Sequence, residues 1–145
     1  MIVVVDASVA VKWFLPEARS DIAARLLTSA HVLLAPELMR LEVGNSLLRA
    51  VRRGMIAQEI AIEAMERLSP PRLRFEPTGE IADAAFKLAG QWGGTVYDAL
   101  YVLIAGSVGA VVATDDHELS RTARRAGIGE WLISEQPPVT LEFET

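Results

Sequence analysis

ALYVLIAGSVGAVVAT, residues 99–114, carries no charge from end to end and stops at Asp115-Asp116. The run falls short of the roughly 20 residues that a spanning helix needs. Gly106 and Gly109 are expected to break it in the middle. It therefore reads as a buried helix followed by a buried strand, the repeating unit of an α/β fold. Short apolar runs of the same kind recur on either side: IVVVD (2–6), HVLLAP (31–36), RLRFEP (72–77) and EWLIS (130–134).

Between these runs the spacing turns helical. Ser20-Asp21 can cap a helix over 21–30 that carries Ile22, Leu26 and Leu27 on one face. Pro36 opens a second helix with Leu38, Leu41, Asn45 and Leu48 in register, stopped by Gly54. AQEIAIEAMERLS (57–69) completes a pair with it. A fourth segment, 78–94, has Ile81, Ala85, Leu88 and Ala89 in phase and ends at Gly93-Gly94; HELSRTARRAG (117–127) closes at Gly127. Strand runs that are apolar on both faces, alternating with helices, predict a mostly parallel five-stranded sheet in an α/β/α sandwich. The 145 residues read as a single domain, 1–145, with the tail from Gln136 onward as an edge extension or a loose end.

Composition limits the function. Apolar residues make up 51% of the chain and charged residues 23%, as in a soluble globular protein. No cysteine is present, which excludes disulfides, thiolate metal sites and a cysteine nucleophile. The start has no basic segment of the secretory kind, so no membrane association and a cytoplasmic location are expected. The net charge of −5 argues against general nucleic-acid binding. Yet twelve of the 14 basic residues are arginines, clustered as Arg49, Arg52, Arg53 and Arg121, Arg124, Arg125. These are candidate phosphate contacts; the competing reading is a solvated helix face.

Ligands of open α/β sheets bind beyond the carboxyl ends of the strands. Asp6 ends the first run and Asp115-Asp116 end the fourth, so distant stretches deliver acids to one edge. Glu42 borders the apolar stripe of its helix, and Asp98 stands in the first turn of another. Singly, each acid reads as well as a cap or a helix-dipole partner. Together they pose a cost: two carboxylates at about 4 Å repel by about 4 kcal/mol at an effective dielectric near 20. Either the acids are apart, they hold extra protons, or a cation sits among them. An all-oxygen donor set suits Mg²⁺ or Mn²⁺, and the matching chemistry is metal-assisted phosphodiester hydrolysis.

Other chemistries fit poorly. Of the two histidines, His31 begins its strand at the opposite edge, out of reach of Ser8. The haloacid-dehalogenase pattern needs an aspartate where Ser8 stands, and a receiver domain needs one after the third strand, where only Glu76 is near. The phosphate-binding pattern GxxxxGK[ST] does not occur.

VVVDASVAVKWFLPE, PELMRLEVGNSLLRA, TVYDALYVLIAG and VVATDDHEL, in this order and spacing, resemble a PIN domain. The likeness is to the VapC ribonuclease toxins of bacterial and archaeal toxin–antitoxin pairs, and it covers nearly the whole chain. The resemblance implies that Asp6, Glu42, Asp98 and Asp116 form a metal site for Mg²⁺ or Mn²⁺. It implies that Thr114 orients the fourth acid and that Ser8 and Asn45 support the set. Asp115 departs from the small residue the family more often has there, and Asp116 is favoured over it as the ligand. RNA cleavage leaving 5′-phosphate and 3′-hydroxyl ends, a homodimer and a VapB-like antitoxin are further implications. The antitoxin is expected to lie across the early helices at Val11, Trp13, Phe14 and Leu15. Two other functions remain: a housekeeping RNA-processing nuclease without an antitoxin, which a neighbouring antitoxin reading frame would argue against, and a catalytically silent binding module, which has no reason to keep a repulsive acid cluster.

Overall fold

The computed structural model describes residues 1–141. Five strands form one sheet: β1 (Ile2–Val5), β2 (Val32–Pro36), β3 (Leu73–Glu76), β4 (Val111–Thr114) and β5 (Glu130–Leu132). Their order is β3-β2-β1-β4-β5, and every pairing is parallel, so the sheet is more uniform than "mostly parallel". All five strand runs of the sequence are strands. Val3, Val4 and Val5 are each 0% exposed. Successive strand residues point to opposite faces, so helices cover the sheet on both sides.

The helices are α1 (Ala7–Ala10), α2 (Ser20–Thr28), α3 (Leu38–Arg52), α4 (Gln58–Glu66), α5 (Ala82–Trp92), α6 (Val96–Val108) and α7 (His117–Arg125). Helix α6 packs against β1, β2 and β4, and Ala99, Leu100, Tyr101, Val102, Ile104 and Ala105 are buried there. Thr95 and Asp98 start it with a reciprocal capping box, and Gly109, at φ 64, ends it. Gly106 does not interrupt the helix, contrary to the sequence expectation. It lies inside the last turns, and a Cβ there would meet Ile128 Cδ1 at 3.2 Å.

Two further expectations need correction. On α3 the main core takes Met39, Val43, Leu47 and Ala50; of the expected stripe Leu38, Leu41, Asn45 and Leu48, only Leu38 is packed, against the smaller cluster of Ala85, Ala99 and Leu100. Leu41 is 68% exposed and Leu48 44%. The tail is not loose throughout: a short 3₁₀ turn at Val139–Leu141 places Leu141 in the main core. Positions 142–145 of that expectation lie outside the described residues. Among the described residues no helix is long and apolar enough to cross a membrane.

Candidate metal centre

The two central strands bring the first and fourth runs together. β1 and β4 are neighbours in register Val5↔Ala113, and the Asp6 amide donates to the Ala113 carbonyl at 3.0 Å. Asp6 and Thr114 thus stand side by side at the carboxyl edge. Asp6 occupies the N-cap position of α1, but its side chain makes no capping bond. It is 6% exposed and bonded elsewhere. Ser8 Oγ donates to Asp6 Oδ2 at 2.6 Å, and Thr114 Oγ1 donates to the same oxygen at 2.8 Å.

The backbone fixes the direction of both bonds. The Asp115 amide donates to Ser8 Oγ at 2.8 Å, and the Asp116 amide donates to Thr114 Oγ1 at 2.9 Å. A hydroxyl has one proton. Each oxygen already accepts from an amide, so each proton is directed to Asp6. Two consecutive amides therefore aim two hydroxyls at one carboxylate oxygen. The other oxygen, Oδ1, receives no side-chain donor among the described residues.

The remaining acids come from three helices. Glu42, on α3, is half-buried and accepts from Tyr101 Oη at 2.7 Å. Asp98 Oδ2 accepts from the Thr95 amide at 3.0 Å, and Asp116 Oδ1 accepts from the Glu118 amide at 2.8 Å as the cap of α7. Gly94 lets the Asp98 carboxylate sit where it does. At φ 77, a Cβ on Gly94 would collide with the Thr122 hydroxyl and lie 3.0 Å from Asp98 Oδ2.

Electrostatics ties the set together. Burial raises the Asp6 carboxyl above its ordinary value; the Ser8 and Thr114 donors only partly offset this, and the charge of Asp116 adds to it. Burial likewise raises Glu42 against the pull of its Tyr101 bond, and the charges of Asp6, Asp98 and Asp116 all push the same way. Tyr101 is raised well above its ordinary value by burial and by the charges of Asp6 and Glu42, so it stays a donor. Asp6 and Glu42 therefore hold protons in a window above the ordinary carboxylate values, where the unfolded chain has released them. Stability they favour is present below that window and is lost as pH rises through it. With chelator present, the melting temperature is expected to be higher near about pH 5 than near about pH 7.5. Asp6→Asn should flatten that difference in a thermal scan.

Among the described residues no three carboxylates close around a common point. Asp98 and Asp116 each commit one oxygen to a backbone amide. The donor chemistry still fits a hard cation: the groups facing one another are carboxylates and hydroxyls, with no imidazole or thiolate.

Asp115 is engaged elsewhere. Its carboxylate meets Lys12 Nζ at 3.2 Å and Arg19 Nη2 at 2.9 Å. Burial opposes its ionisation, but these donors outweigh it and hold the carboxyl below the ordinary value. Thr114 serves Asp6 with its proton and meets Asp116 only through the backbone amide, a refinement of its expected role. Asn45 lies on the exposed side of α3, and its side chain makes no hydrogen bond among the described residues.

All six candidate arginines are exposed. Arg121 pairs with Glu118, Arg124 with Glu130, Arg125 donates to the Trp92 carbonyl, and Arg49 donates to Ser46. Val11 and Leu15 are core residues, not a contact surface, because the 3₁₀ turn Val11–Trp13 rolls them inward. Trp13 and Phe14 are half-buried against the core. Sequence reasoning missed Lys12, Arg19 and Tyr101. Lys12 had a signal, as the one cation in VAVKWFL; Tyr101, three residues after Asp98, falls on the same helix face.

A family model described as "PIN domain" matches residues 3–125. Ribonuclease VapC3 of Pyrobaculum aerophilum is 36% identical over 122 residues, which is 83% of this chain and 93% of that protein. Ribonuclease VapC1 of Mycobacterium tuberculosis is 32% identical over 120 residues, 81% of this chain and 87% of that protein. The crystal structure of PAE2754 from Pyrobaculum aerophilum superposes with a TM-score of 0.67 at 25% identity, covering 90% of this chain and 83% of that one.

Proposed function

Because the chain belongs to the PIN domain family, with VapC ribonucleases as its relatives, we propose that Asp6, Glu42, Asp98 and Asp116 are its metal ligands and RNA its substrate. The chain is a VapC-type endoribonuclease, the toxin of a toxin–antitoxin pair. The observation that carries the site is the buried Asp6 carboxylate, held by two amide-directed hydroxyls on one oxygen. A bound Mg²⁺ or Mn²⁺ supplies charge stabilisation at the phosphoryl oxygens and a lowered pKa for the attacking water.

The chain's own residues do the rest. Ser8 and Thr114 keep Asp6 fixed, and Tyr101 fixes Glu42. Asp98 and Asp116 each have a second oxygen to offer. Asp115, neutralised by Lys12 and Arg19, stays out of the ligand set. The exposed arginines, with Arg52 and Arg53 first among them, meet the RNA backbone. The 145 residues act as one PIN domain in the cytoplasm, paired as a homodimer and bound by a VapB-type antitoxin. Leu41 and Leu48 on α3 and Phe86 on α5, all exposed, supply apolar surface for such contacts.

Inducing the chain alone in cells is expected to arrest growth and to produce RNA fragments with 5′-phosphate ends. Asp98→Asn should relieve the arrest while the protein stays folded, because Asn retains the capping acceptor. End-sequencing of cellular RNA reads the result. Cleavage without arrest would shift the reading to an RNA-processing nuclease; no new ends from a folded protein would remove the nuclease reading altogether.

A further inference from the structure

Behind Ser8 lies a group of charges that catalysis as described does not use. Lys12 is only 7% exposed. Its Nζ lies 3.0 Å from Glu17 Oε2 and 3.2 Å from Asp115 Oδ2. Arg19 grips the same Asp115 carboxylate at both oxygens, Nε to Oδ1 at 3.0 Å and Nη2 to Oδ2 at 2.9 Å. A two-pronged arginine contact is specific in direction as well as charge.

The loop that presents these groups is held from several sides. Arg19 has φ 66, in the left-handed region that residues other than glycine seldom enter. Ser20 Oγ donates to the Leu15 carbonyl and accepts from the Glu17 amide. The Ser20 amide donates to the Glu17 carbonyl, and the Ala23 amide to that of Arg19. Such a conformation persists where the surroundings over-determine it, and often at functional sites. A buried cation beside an acidic centre also opposes the arrival of a divalent ion. Its presence is explained by what it holds, not by its field.

What it holds is Asp115, whose amide donates to Ser8 Oγ. We propose that Lys12 is a positioning residue: with Arg19 it clamps Asp115, so that the Asp115 amide stays on Ser8 and the Ser8 proton stays aimed at Asp6. This clamp rests on the metal centre proposed above. It links the 12–19 segment to the end of β4 and reaches Asp6 through one hydroxyl. A mere surface cross-link would affect stability alone.

The test uses the full chain and Mn²⁺. Lys12→Met combined with Asp115→Asn removes one positive and one negative charge, leaving the net charge at the site unchanged. Calorimetry should show Mn²⁺ affinity falling by about tenfold, the usual scale for loss of a residue that orients a ligand. In a Ser8→Ala background the same pair of changes should cost less than about twofold, because the route through Ser8 is already cut. Equal losses in both backgrounds, or no loss in either, would overturn the clamp. If the pair variant does not fold, Arg19→Gln decides, since that side chain is partly exposed: amide exchange at Asp115 should quicken, and unchanged exchange overturns the proposal. A wild-type chain that binds no Mn²⁺ removes the metal centre, and the Asp115 amide measurement then decides the clamp separately.

Discussion

Asp6→Asn should lower RNA cleavage by about a thousandfold, as expected when several kcal/mol of transition-state stabilisation is lost at 1.36 kcal/mol per decade. The same variant should be at least as stable as the wild type when metal-free. Asn keeps a carbonyl oxygen able to accept from Ser8 and Thr114, the two bonds that hold Asp6. It removes a buried negative charge whose ionisation is opposed by burial and by Asp116. Activity and metal-free stability are thus expected to move in opposite directions. Chemical denaturation in chelator, run beside an RNA cleavage assay in Mn²⁺, measures both. A variant that cleaves like the wild type would falsify the assignment of Asp6. One that unfolds readily would mean that the carboxylate is structural.

Divalent metal should stabilise the wild-type fold strongly. At a free Mn²⁺ concentration 100 times the dissociation constant, linkage contributes about 2.7 kcal/mol. For a chain of this size that is a melting shift on the order of 10 °C. Its source is relief of the repulsion among carboxylates: in the metal-free chain burial raises Glu42, and the charges of Asp6, Asp98 and Asp116 add to it. Chelator should reverse the shift, and Asp6→Asn should abolish most of it. A thermal scan insensitive to millimolar Mn²⁺ and Mg²⁺ would argue that these acids do not share an ion.

The strands and the meeting of Asp6 with the end of β4 were legible in the sequence, because β-branched runs ending in an acid carry both signals at once. The face of α3 was not. Its leucines at 38, 41 and 48 and its residues 39, 43, 47 and 50 are both helically spaced. Hydropathy prefers the leucines, whereas packing against α1, α4 and β2 selected Met39, Val43, Leu47 and Ala50. Gly106 misled for a related reason: within α6 it makes room for Ile128 instead of ending the helix. The Lys12–Asp115 pair joins residues distant in sequence and depends on the β1–β4 register and on one left-handed residue at Arg19, neither of which has a local signature. The orienting role of Thr114 was visible only through a family likeness. Its direction, toward Asp6, needed the amide geometry.

The bond from Thr114 to Asp6 spans 108 positions of chain, and β4 lies beside β1 in the middle of the sheet. Strand β1 waits for β4. A ribosome that has made only residues 1–100 carries Asp6, Ser8, Glu42 and Asp98, but neither the Thr114 hydroxyl that also holds Asp6 nor Asp116. Since domains generally fold as units during synthesis, cleavage activity should switch on only after β4 and Asp116 have been made. The order of strands thus acts as a timer: a chain whose synthesis has not reached β4, still tethered to the RNA machinery that produces it, lacks the parts needed to cut.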